Sequence, residues 1–221
     1  MPGRTPREAV QNYMAPLQQA ISCVCSAVLR PTSYEPGSGP HMLCSEQMPC
    51  VLVNTHLKFN VAQWFDIIED PQNGPWRVTT AGYQYTIETE DAEEILGYHW
   101  HPDSRSPFRH PHLHLGHGAR VGRVELEGVK AHLPTGRVAM EDFIQILIEV
   151  FRARPRRAWR EVLHATAERF WQHARGGNHR RDGNYFDFFG LPPPWVFRLA
   201  ASWLKWSFPY MRAVALPLRA P

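Results

Sequence analysis

Six of the twelve histidines fall within residues 98–118, YHWHPDSRSPFRHPHLHLGHG. Two of its groups repeat at a spacing of two: His99 and His101, then His110, His112 and His114. In a strand, side chains at i, i+2 and i+4 share a face. The segment between the groups, Pro102 to Pro107, reads as a hairpin loop. Pairing the two strands then brings five imidazoles onto one face, with opposing Cβ atoms about 5 Å apart. Pro111 makes the second strand an edge, or one that starts after it. Leu113 and Leu115 take the core-packing face, which leaves the histidines on an open face or along a cleft.

Three chemistries fit this pattern. One is a half-solvated row of histidines with no reaction to perform. The second is a divalent metal such as zinc, held by His99, His101, His112 and His114, because neutral imidazole is the commonest ligand for such ions. Asp103 adds an oxygen, but no carboxylate is evident to orient the rings. The third is acid–base or nucleophilic catalysis by the same four histidines, since imidazole gains and loses protons near neutral pH. Arg105, Arg109 and Arg120 flank the cluster, and guanidinium binds phosphate in a bidentate manner. Cleaving RNA needs a base, an acid and a cation, which two histidines and an arginine supply.

Other candidates are weaker. In HLPTGRVAMEDF (132–143), Thr135 and Gly136 precede a helix, where backbone amides can hold an anion beside Arg137. Glu141 and Asp142 also suit an ordinary helix entry. Nine Arg against two acids over 152–181 mark either a solvated helix face or a footprint for RNA, DNA or an acidic partner. Cys23, Cys25, Cys44 and Cys50 match no common zinc-finger spacing. Residues 1–30 lack a basic start followed by an apolar run, so the expectation is a cytoplasmic protein with free thiols.

The elements that must position these groups follow from periodicity. Residues 5–29 predict a helix kinked near Pro16, with Thr5 as N-cap and Pro6 at the first helical position. Residues 31–41 read as a linker. Strands are predicted at 51–59, 77–89, 93–101 and 111–117, with further short strand at 121–128 and 129–134. Short connections make them an antiparallel meander. Helices follow at 138–152 and 157–174, separated by Pro155. The expectation is an α+β fold: a four- or five-stranded antiparallel sheet backed by two C-terminal helices, with an added N-terminal helix. Residues 1–49 form the N-terminal helix and linker, 50–177 the core domain, and 178–221 a Pro/Trp-rich tail. That tail is too charged and proline-broken to span a membrane, though 195–216 would suit contact with a membrane surface.

HPHLHLG (110–116) resembles the motif of histidine-triad nucleotide hydrolases. The resemblance implies that His112, the middle histidine, attacks phosphorus. A longer pattern is similar to TumE-type toxins of bacterial toxin–antitoxin pairs. It comprises YQYTIETEDAEEILGYHWHP, then PHLHLG, then AHLPTGRVAMEDFIQILIEVF, within 83–151. That resemblance implies a compact α+β domain, a cognate antitoxin, RNA-directed toxicity and a site at His99, His101, His112 and His114. The leading expectation is a toxin-like protein acting on RNA or nucleotides. A non-catalytic metal- or partner-binding module is the alternative.

Overall fold

The computed structural model describes residues 2–71, 75–102, 108–116, 119 and 131–174. Helix α1 spans Pro6–Ile21, α2 Met140–Glu149 and α3 Trp159–Ala174. The strands are β1 Pro2–Gly3, β2 Arg30–Pro31, β3 His41–Cys44, β4 Cys50–Val51, β5 Lys58–Glu69, β6 Trp76–Glu88, β7 Glu94–Trp100, β8 His112–Leu115 and β9 Ala131–Pro134. They form one antiparallel sheet in the order β2-β3-β5-β6-β7-β8-β9, with β1 on β6 and β4 on β5. The α+β class and the meander from β5 to β9 agree with expectation. The sheet is larger than four or five strands, because β1 to β4 all join it. The predicted strand at 121–128 and the tail at 178–221 lie outside the described residues.

β5 and β6 are the long spine of the sheet, paired from Lys58↔Glu88 to Glu69↔Trp76. Phe59, Val61, Phe65 and Ile67 alternate inward from β5, and Gln63 is the one polar residue among them. Tyr83, Tyr85 and Ile87 do the same from β6, and Leu96, Tyr98 and Trp100 lie in register with them on β7. The Phe143 ring of α2 closes on Phe59, Tyr85 and Tyr98 at centroid distances of 5.7, 5.9 and 5.9 Å. Burying such a ring stabilises the fold by roughly 1.5–3 kcal/mol, which fixes α2 on this face.

Helix α1 is part of the core rather than an appendage. Ala9, Val10, Tyr13, Leu17, Ala20 and Ile21 are buried. Thr5 caps it as expected, accepting from the Glu8 amide at 3.1 Å. The helix runs on through Pro16. The backbone bond lost there is outweighed by burial of Leu17, Ala20 and Ile21 just beyond it. Helix α3 packs chiefly on α1 and α2, one layer further from the sheet than a helix backing it would lie. All three helices stand on the face that carries Tyr85 and Tyr98. The other face carries Asn60, Gln84, Thr86, Gly97 and His99 in register, and it leads to the histidines.

Candidate metal centre

β7 and β8 pair as the spacing predicts, with His99 directly opposite His112 and Gly97 opposite His114. His99, His112 and His114 therefore share one face, and His101 continues it beyond the end of β7. The His99 ring lies 4.7 Å from that of His114 and 5.8 Å from that of His112. His101 stands at the margin, 5.6 Å from His99 and edge-on to Trp64 at 5.5 Å. Burial, with help from His112 and His114, pushes the His101 pKa below its ordinary value. His110 is exposed and outside the ring cluster.

The face is not a half-solvated row. His99, His112 and His114 are 8%, 4% and 4% exposed. Buried polar rings at that density need partners, or each costs several kcal/mol. The structure supplies them. The Glu94 carboxylate lies between two imidazoles: Oε1 hydrogen-bonds to His114 Nδ1, and Oε2 stands 3.7 Å from His99 Nε2. His112 Nδ1 meets the His110 carbonyl oxygen at 2.8 Å. A carbonyl can only accept, so His112 Nδ1 carries the proton.

Glu94 is the carboxylate that the sequence reading found missing. It lies five residues before His99, an odd separation that puts it on the opposite face of a regular strand. The pairing of β6 with β7 shifts register here, from Ile87↔Leu96 to Glu88↔Glu94. Ile95 is the extra residue of a β-bulge, and the bulge turns Glu94 onto the histidine face. A turn closed by the Glu93 amide on Thr89 Oγ1 at 3.1 Å, with Ala92 at φ 61°, brings the chain into this bend.

Two glycines make room. A Cβ on Gly97 would stand 2.6 Å from His99 Nε2 and 3.0 Å from Thr86, so the imidazole occupies the space a side chain would take. A Cβ on Gly116 would stand 2.0 Å from the Glu94 carbonyl oxygen. The Gly116 amide bonds to the Ile95 carbonyl at 3.1 Å, so β8 ends in close contact with the bulge.

Glu94, His99 and His114 each offer one donor atom, and the three atoms lie within 4.8 Å of one another. Donors on one tetrahedral ion at 2.0–2.2 Å sit roughly 3.4 Å apart, so small rotamer adjustments suffice to close the set. Two histidines and a carboxylate suit zinc or another first-row divalent ion and leave coordination positions open.

Of the expected phosphate-binding residues, Arg137 is held away from the histidine face. The Arg137 guanidinium stacks on the Trp100 ring at 3.8 Å, and Trp100 faces the helices, on the opposite side of the sheet from His99. Arg109 is exposed. Arg105, Asp103 and Arg120 lie outside the described residues. Thr135 and Gly136 fall short of α2, whose first turn is held by its own carboxylate: Asp142 Oδ2 accepts from the Ala139 amide at 3.2 Å.

The chain matches no protein family model, none of the curated proteins and no solved structure. The likeness to TumE-type toxins and to histidine-triad hydrolases thus rests on the residue pattern alone. No helix among the described residues is long and apolar enough to cross a membrane.

Proposed function

We propose that the buried histidine face is a divalent-metal centre, with Glu94, His99 and His114 as ligands, and that it serves hydrolysis. One observation carries the reading: a carboxylate, turned by a bulge, converges with two buried imidazoles within 4.8 Å. Bound there, a zinc-class ion would lower the pKa of a coordinated water toward neutrality. His112, its ring oriented by the His110 carbonyl, stands beside the ligands as the candidate proton acceptor. His101, held below its ordinary pKa, is a second neutral imidazole at the open margin.

The full chain, purified without a histidine tag and without added metal, should carry close to one equivalent of a divalent metal. His99→Ala and His114→Ala should each empty it. Wild-type protein that is folded, metal-free and unable to take up zinc would refute the proposal.

The bond between Glu94 and His114 supports a second reading without metal. Glu94 would orient His114 as a general base toward RNA or a nucleotide, in a toxin-like protein neutralised by a cognate antitoxin. Growth arrest on induction that needs His112 and His114, and RNA cleavage that persists under chelation, would favour it over the metal centre.

A further inference from the structure

A small hollow lies on the helix side of the sheet, across the sheet from the histidines. Gln63 of β5, Thr80, Tyr83 and Tyr85 of β6, Trp100 of β7 and the loop residues Arg137 and Val138 line it. It has room for about one water-sized group.

The hydrogen bonds around it run in one direction. The Tyr85 hydroxyl donates to Gln63 Oε1 at 2.6 Å, and Gln63 Nε2 donates to the Tyr13 hydroxyl. Tyr13 and Thr80 Oγ1 share one bond of 2.8 Å. Tyr13 is its donor. The Tyr13 side chain is buried and does not line the hollow, so a proton turned away from Thr80 would be stranded, at a cost of about 1–3 kcal/mol. The chain therefore ends on Thr80, whose own hydroxyl proton is left to donate. Tyr83 reaches the same state by another route. Its hydroxyl accepts from the Val138 amide at 2.9 Å, and its side chain is buried. Its proton also needs an acceptor, and no group among the described residues takes it. Arg137 adds a positive charge at the same hollow. Its guanidinium stacks on the Trp100 ring, 3.8 Å from the centroid. A guanidinium held by its face directs its N–H groups outward in its own plane. Neither carboxyl of the first turn of α2, Glu141 or Asp142, lines the hollow.

We infer that this hollow is a binding site for a small monocarboxylate. One carboxylate oxygen enters and accepts from the Tyr83 and Thr80 hydroxyls. The other stays at the mouth and accepts from Arg137, and the rest of the ligand extends outward. The donors decide the sign: two hydroxyl protons and a guanidinium suit an anion and repel a cation. The room decides the shape. A planar head can insert a single oxygen, whereas a tetrahedral phosphate brings more bulk and more charge than one arginine balances. The site is independent of the metal centre, which lies on the other face of the sheet.

The test titrates sodium acetate into the ¹⁵N-labelled full-length protein and follows the backbone amide signals, with acetamide and phosphate titrated beside it at equal ionic strength. The Val138 amide, bonded to the Tyr83 hydroxyl, should shift saturably with acetate. Acetamide and phosphate should bind at least about tenfold more weakly. Arg137→Gln should lower acetate affinity at least about tenfold, and Thr80→Val at least about threefold. Both variants keep the bond between Tyr83 and Val138, which Tyr83→Phe would break. Acetate that leaves the Val138 signal in place, or moves it without saturation, would overturn the inference and leave water as the occupant. Unchanged acetate affinity in folded Arg137→Gln would overturn it as well. Acetamide or phosphate binding as tightly as acetate would overturn the assignment to a monocarboxylate.

Discussion

Glu141, in the first turn of α2, is 2% exposed. Neither carboxyl oxygen has a hydrogen-bond partner among the described residues. The neighbouring Thr166 hydroxyl donates to the backbone carbonyl of Val162 at 3.0 Å. The helix N-terminus favours the anion by at most about 2 kcal/mol. Burial opposes it and wins, pushing the Glu141 pKa up from 4.5 to about 7. Below pH 4.5 this carboxyl is protonated in folded and unfolded chains alike. Above it the unfolded chain ionises first, so stability falls as pH rises, until the folded carboxyl ionises near pH 7. A gap from 4.5 to about 7 corresponds to about 3 kcal/mol at 1.36 kcal/mol per pH unit. Glu141→Gln has nearly the same shape and does not titrate. Its stability relative to wild type should therefore rise by about 3 kcal/mol between pH 4.5 and 7.5, as read by urea unfolding at several pH values. Titrations shared by both proteins cancel in the difference. A difference that stays flat across this window, or falls with pH, would refute the claim that Glu141 is held protonated by burial.

Other changes have equally definite outcomes. Gly97→Ala should push the His99 ring aside, since the new Cβ meets the far end of that side chain at 2.6 Å. Zinc affinity should drop at least about tenfold while the thermal midpoint moves by only a few degrees. Gln63→Leu removes the acceptor of the Tyr85 hydroxyl at 2.6 Å and the donor to the Tyr13 hydroxyl. It strands the buried Tyr85 hydroxyl, leaves the Tyr13 hydroxyl with Thr80 Oγ1 as its partner, and should cost about 1–3 kcal/mol by chemical denaturation. Phe143→Ala empties the space between Phe59, Tyr85 and Tyr98 and should cost about 3–5 kcal/mol by the same measurement.

The histidine pairing was legible because a period of two and a short loop leave little choice of face for His99, His112 and His114. Glu94 was not legible. Its membership depends on one inserted residue, Ile95, and a bulge changes the parity of everything before it. The length of β5 was hidden for a related reason. Gln63 faces the core and Trp64 faces outward, which reverses the usual polarity at the centre of the strand and masks its alternation. The amphipathic stripe of α1 was readable, yet periodicity names a buried face without naming what buries it. The Tyr13 hydroxyl, bonded to Thr80 Oγ1 at 2.8 Å across 67 residues, is one link that ties that stripe to β6. Arg137 shows the converse: it neighbours the site in sequence, but Trp100 holds it on the far side of the sheet.

The most direct test of the metal centre is calorimetric titration of zinc into metal-free full-length protein, wild type beside Glu94→Gln. The amide keeps the size of the carboxylate but loses its charge. The account predicts one zinc per chain in the wild type and a loss of affinity of at least about tenfold in Glu94→Gln. Equal affinity in the two proteins, or no zinc uptake by folded wild type, would contradict it.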